Sequence, residues 1–261
     1  MFRFNIIAQT KGGDQHNVVA LGGHTDSVGA GPGINDNGSG TIGILEVAKA
    51  LTKYSVNNAV RFCFWSAEEF GLVGSTKYVQ SLSAEELNKI ALYLNFDMIA
   101  SPNYVYFVYD GDGSAFNLTG PPGSDKIEHM FEKHFLDVGW EVKPTAFDGR
   151  SDYGPFLNVS IPCGGLFTGA EGVKTTEEAA YYGGKAGAWY DPNYHLAGDN
   201  VKNCDLGAWI TNTKAIAHAV ATYARSTTTI PKRTHSKVKR GLPKAKPHLR
   251  HSHCGHQDLL E

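Results

Sequence analysis

Apolar runs of strand length alternate with longer segments of helical spacing along most of the chain. Runs over 4–9, 17–22, 61–65, 92–96 and 104–109 predict strands, as does part of 160–167. Between them Ser39 caps a helix to about residue 53, in which Ile42, Leu45, Ala48 and Leu51 recur near the helical period. Residues 69–81, 124–138 and 205–225 predict further helices, the second bearing His129 and His134. The alternation predicts an α/β fold, with a mixed, mostly parallel central sheet flanked by helices.

From residue 227 the pattern stops. The segment is rich in Lys, Arg, His, Pro and Ser and too poor in apolar residues to offset its ordering entropy. It predicts a basic, disordered tail over 227–261 behind a folded domain over 1–226. The tail's His248, His251, His253, His256 and Cys254 have metal-chelating chemistry, but a solvated basic tail is the simpler reading. At the other end, Met1-Phe2-Arg3-Phe4-Asn5-Ile6-Ile7 lacks the make-up of a signal peptide and reads as a strand in progress. The expectation is a chain whose natural start is missing.

Composition narrows the function classes. With 261 residues, 41% of them hydrophobic and 19% charged, the chain suits a globular α/β protein. A net charge of −2 argues against nucleic acid as main partner. No run of eighteen apolar residues predicts a membrane span. Cys63, Cys163, Cys204 and Cys254 form no CxxC pair; Cys63 reads as a buried free thiol, and pairing of Cys163 with Cys204 stays open. Glycosylation triplets begin at Asn37, Asn117 and Asn158, the first overlapping the candidate site described next.

Five short blocks carry the chemistry: His24-Thr25-Asp26, Asp36 in a glycine-rich loop, Glu68-Glu69, Asp97 and Tyr194-His195. Three of them follow predicted strand ends, where open α/β sheets place their ligands. Two histidines and three carboxylates are a donor set for two zinc ions, with a spare glutamate for general-base work. His24 ends an apolar strand, and Asp26 lies close enough to offer a carboxylate to its second ring nitrogen. Asp36 can bridge two metals through its two oxygens. Glu69 reads as a ligand and Glu68 as the base, since adjacent side chains point apart. Asp97 sits in an apolar setting that is costly for a carboxylate without a partner. His195 completes the second ion, while His16, His129, His134 and His218 read as structural.

These residues resemble the co-catalytic di-zinc aminopeptidases, particularly fungal aminopeptidase Y and secreted leucine-aminopeptidase-like enzymes. The resemblance runs from about Phe4 to Ala224 and rests on Gly22-Gly23-His24-Thr25-Asp26-Ser27, Gly33-Ile34-Asn35-Asp36-Asn37-Gly38-Ser39-Gly40, Trp65-Ser66-Ala67-Glu68-Glu69-Phe70-Gly71-Leu72, Leu94-Asn95-Phe96-Asp97-Met98, Asp148-Gly149-Arg150-Ser151-Asp152-Tyr153 and Tyr194-His195. It implies a zinc-dependent exopeptidase fold whose catalytic domain is 1–226. It assigns one zinc to His24, Asp36 and Asp97, and the other to Asp36, Glu69 and His195. Glu68 would activate a water held between the metals, Tyr194 would steady the oxyanion and Arg150 would lie near the substrate. The implied partners are peptides with a free, apolar N-terminal residue, met by a secreted or vacuolar, glycosylated monomer. Some relatives flank the Tyr-His pair with two cysteines; here those places are Asn193 and Gly198.

Three other readings compete. Carboxypeptidases and aminoacylase-type amidohydrolases also pair an HxD motif with a double glutamate, but the Asp36 loop and Tyr194-His195 favour the aminopeptidase. A non-catalytic module of this fold would have lost ligands, and all are present. An inactive, truncated fragment remains the third.

Overall fold

The computed structural model describes residues 4–232. Seven strands form one sheet: β1 (Ile6–Gln9), β2 (Asp14–His24), β3 (Asn58–Trp65), β4 (Ile90–Phe96), β5 (Phe107–Tyr109), β6 (Lys143–Thr145) and β7 (Cys163–Phe167). Their spatial order is β1-β3-β2-β4-β7-β5-β6. The central strands β3, β2, β4 and β7 run parallel, while β1 is antiparallel to β3 and β5 to β7. The sheet is therefore mixed and mostly parallel, as expected.

Seven helices accompany it: α1 (Gly40–Leu51), α2 (Val73–Ser81), α3 (Ala84–Lys89), α4 (Ser124–Asp137), α5 (Gly154–Asn158), α6 (Thr176–Tyr182) and α7 (Leu206–Arg225). The central strands are buried on both faces. Val19 and Leu21 of β2 join Leu92, Leu94 and Phe96 of β4 in one core cluster with Ile44, Phe131 and Ile216. Their alternates Ala20 and Tyr93 enter the other, with Trp65, Val79 and Phe156. Period-two alternation sends successive side chains into opposite cores.

The register aligns the strand ends. His24 is opposite Trp65, Gly22 opposite Asn95, and Phe96 opposite Leu166. The carboxyl ends of β2, β3 and β4 thus open at one edge, carrying the chain straight into the candidate residues. At this edge α1 begins so close to β4 that a Cβ on Gly40 would lie 2.2 Å from the Phe96 carbonyl oxygen. Only glycine fits there.

The structure corrects several details. The first predicted helix exists, but its buried face carries Ile44 and Val47, whereas Ile42 and Leu45 are exposed. The stripe through residues 44, 47, 48 and 51 meets the sheet, and 42 and 45 fall outside it. The fold also passes the expected boundary at 226. Ile230 is buried in the core, and Thr227 accepts a 2.7 Å hydrogen bond from Asn17. One apolar residue four positions into the segment packs residues 227–232 against the fold. The rest of the expected tail, with its histidines and Cys254, lies outside the described residues.

Cys63, Cys163 and Cys204 are free thiols, the first two buried. Asn37 is buried, whereas Asn117 and Asn158 are exposed. No helix among the described residues is long and apolar enough to cross a membrane.

Leu94→Ala is expected to lower the unfolding free energy by about 2–5 kcal/mol. Leu136→Ala, at a side chain 69% exposed, should stay within about 0.5 kcal/mol. Urea unfolding of both variants checks the placement of the core.

Candidate metal centre

His24 is the last residue of β2 and is 1% exposed. Its Nδ1 lies 3.0 Å from the main-chain oxygen of Asp26 and 3.7 Å from that residue's carboxylate. The expected carboxylate partner is thus a main-chain carbonyl. The Asp26 carboxylate accepts instead from the Glu68 N–H at 3.0 Å, tying the end of β2 to the turn after β3. With Nδ1 turned to a carbonyl, Nε2 faces the cluster.

That Nε2 lies 3.2 Å from Asp36 Oδ1, 3.3 Å from Asp97 Oδ1 and 4.0 Å from Glu68 Oε2. Across the cluster, His195 Nε2 lies 3.1 Å from Asp36 Oδ2 and 3.2 Å from Glu69 Oε2. Asp36 therefore turns one oxygen to each histidine. Two donor groups result, His24/Asp36/Asp97 and Asp36/Glu69/His195, each with ligand atoms within 4.8 Å of one another. Glu68 belongs to neither group. The structure brings all five expected ligands together and leaves the expected base beside them.

The residues fit divalent cations. Glu69 Oε1 and Asp97 Oδ1 are buried without a hydrogen-bond partner. Buried acceptors that lack donors are costly, and a cation removes the cost. Left to themselves, the groups balance charge only through protons. Burial opposes a charged His195, yet hydrogen bonds to Asp36 and Glu69 carry it up to about 10. Burial, reinforced by Asp97, Asp152 and Glu69 and opposed by His24, pushes Glu68 up to about 9.

A second acidic group, Asp110/Asp112/Glu128, shows the contrast. Asp110 accepts N–H groups from Gly113, Ala115 and Phe116, and Glu128 accepts those of Gly111 and Asp112. Backbone donors already satisfy those two carboxylates.

Local backbone sets the aim of the side chains. Ala67, Met98 and His195 all adopt left-handed φ, at 59°, 47° and 59°. Such conformations are unfavourable for residues with a Cβ and cluster where the surrounding fold imposes them. Here they sit next to Glu68, next to Asp97 and at His195 of the second donor group.

Tyr194 stacks on His195 with ring centroids 3.8 Å apart. Its hydroxyl accepts a 3.2 Å hydrogen bond from Arg150, whose other Nη lies 2.7 Å from Glu171. Both residues line a cleft of about 370 Å³ that reaches from the donor groups to an apolar wall of Met98, Phe107, Phe116, Phe167 and Tyr190.

Sequence reasoning gave no role to several residues found here. Ser151 donates to Asp97 Oδ2 at 2.6 Å and accepts from Asn95. Asp152 is buried with both carboxylate oxygens unpartnered, and burial raises it to about 7. Both stand in the block containing Arg150, which was the available signal. His134 stacks on His218 at 4.3 Å as part of the α4–α7 contact, consistent with a structural role.

The model of peptidase family M28 matches residues 5–220. The probable leucine aminopeptidase 2 of Aspergillus fumigatus is 61% identical over 97% of the chain and 51% of its own length. Leucine aminopeptidase 2 of Trichophyton rubrum is 58% identical over 98% of the chain and 52% of its own. A zinc aminopeptidase from Bacillus subtilis superposes with TM-score 0.68 at 26% identity, over 85% of the chain and 50% of that structure. The chain spans about half the length of the curated relatives it matches.

Because Asp36 faces both donor groups, Asp36→Ala is expected to lower divalent-metal occupancy on both sides, and Asp97→Ala mainly on the His24 side. Elemental analysis after dialysis measures this. One ion per chain, untouched by Asp36→Ala, would remove the bridging assignment.

Proposed function

Since the chain belongs to peptidase family M28, we propose that it is a zinc-dependent aminopeptidase that hydrolyses the N-terminal bond of peptides and prefers apolar N-terminal residues. The observation that carries this reading is Asp36, with one oxygen on each histidine and Glu68 beside both groups but in neither. His24, Asp36 and Asp97 would hold one zinc ion, and Asp36, Glu69 and His195 a second. Two such ions polarise a carbonyl and bring the pKa of water toward neutrality.

The remaining work falls to the protein's own groups. Glu68 takes the proton of the attacking water at its carboxylate and returns it to the departing amine. Its main-chain N–H is held by Asp26, so the carboxylate is aimed before substrate arrives. Tyr194 directs its phenol at the oxygen that becomes negative. Burial keeps that phenol protonated, raising it above its ordinary value. The N–H from Arg150 occupies a phenol lone pair and leaves the phenol proton for the substrate. The apolar wall would accept the first side chain of the peptide, and the carboxylates of Glu68 and Asp97 would receive its free amine.

A carboxypeptidase reading would need a cation for the terminal carboxylate. Arg150, the guanidinium lining the cleft, is already paired with Glu171 at 2.7 Å, which favours the aminopeptidase.

Hydrolysis of leucine-p-nitroanilide, with no turnover of its N-acetylated form, is the expected result. Equal turnover of both would overturn the exopeptidase reading. Glu68→Gln should keep its zinc while kcat falls by roughly two to four orders of magnitude; loss of zinc would make Glu68 a ligand. Tyr194→Phe should lower kcat by a larger factor than it raises KM, with zinc retained. An unchanged kcat would reduce Tyr194 to a wall of the cleft.

A further inference from the structure

The two donor groups are not built alike. His24 ends β2 and Asp97 directly follows β4, neighbouring strands of the sheet, and their group is buried throughout. His195 instead stands in an irregular loop, is 37% exposed at its side chain and has a left-handed φ. No strand fixes it, so something else must set its distance from Asp36.

Two further carboxylates are buried at the ends of the same loop. Asp191 is 0% and Asp199 2% exposed. Asp199 accepts the main-chain N–H of Asn35 at 2.8 Å and of Asp36 at 3.0 Å. Asp191 accepts from the Asn35 side chain at 2.7 Å and from the Asn193 N–H at 2.8 Å. Asn203 lies between them and donates to both oxygens of Asp191, at 2.9 and 3.0 Å, and to Asp199 at 3.5 Å. Its own oxygen accepts from the Asn193 side chain at 2.6 Å. Asn193 in turn lies against Gly198 so tightly that a Cβ there would be 2.0 Å from Asn193 Oδ1.

We propose that Asp191, Asp199 and Asn203 form a brace that positions His195 against Asp36, and so governs metal retention chiefly on the Glu69–His195 side. The brace joins the loop of one ligand to the loop of the other through side chains with buried, directional bonds. Residues 193 and 198, just outside His195, close the same loop by direct packing. The His24–Asp97 side is held separately, by the strand register and by Ser151. Outer partners of metal ligands typically contribute about 10- to 100-fold in affinity. A brace acting on one side should move that side by such a factor.

This inference rests on the zinc reading above. The test uses the whole chain, zinc alone as probe, and crystals equilibrated at limiting zinc, with occupancy read separately at each position from zinc-edge anomalous scattering. Asn203→Ala, which leaves the Asp199 bond to the Asp36 main chain in place, is expected to lose zinc at the Glu69–His195 position, with affinity weaker by about 10- to 100-fold. The other position should be little changed. Ser151→Ala is expected to give the opposite pattern, because it releases Asp97. Equal loss at both positions, or none at either, would overturn the brace, since a merely stabilising network would not choose a side. Should Asn203→Ala fail to fold, Asn193→Ala, at the outer edge of the brace, carries the same comparison. Wild-type protein taking up no zinc would overturn the functional reading itself, and the brace with it.

Discussion

The molecule must hold four carboxylates, those of Asp36, Glu68, Glu69 and Asp97, close together in a partly buried cleft. Among the described residues their ion-pair partners are only His24 and His195. Bringing like charges out of water is unfavourable by several kcal/mol per ion unless opposite charge is supplied. Two imidazoles, even when protonated, cannot match four carboxylates, and the rest of the fold keeps the carboxylates from moving apart. Strand register, left-handed turns and buried amides all serve that end.

The sheet does most of this work. Parallel strands β2, β3 and β4 finish at the same level, so residues from positions 24, 68 and 97 meet without long excursions. The loop with Asp36 is trapped between the start of α1 and the end of β4, where Gly40 permits the approach. Only His195 comes from outside this frame. The molecule compensates with hydrogen bonds rather than with secondary structure.

Much of this was legible in the chain. Long strands and the helices α1, α4 and α7 announce themselves by period, and the candidate ligands His24, Glu69 and Asp97 by their place at or after strand ends. The short elements do not. Helices α3 and α6 are six and seven residues long, too short for a period. Their capping boxes, Ser83 with Glu86 and Thr175 with Glu178, were nonetheless readable signals. Strand β6, three residues including Pro144, carries too little pattern to detect. The exposed Ile42 and Leu45 show another limit: spacing identifies a helix but not which of two apolar stripes meets the sheet. Asp191 and Asp199 were missed because an isolated acid in a polar loop reads as solvated. Their burial is a property of the folded loops, and no local sequence pattern expresses it.

The parallel pairing of β4 with β7 joins Tyr93 to Cys163 across the long stretch that holds α4 and α5. Sheets made of such distant partners assemble slowly, because chain entropy must be lost before the contacts repay it. The two donor groups span positions 24 to 97 and 36 to 195, so each is complete only when distant stretches of the chain have met. Return of metal binding after denaturation would therefore report the last event of refolding rather than the collapse of the core. A population with native helix content but no bound metal would mark chains stalled before their strands had found register.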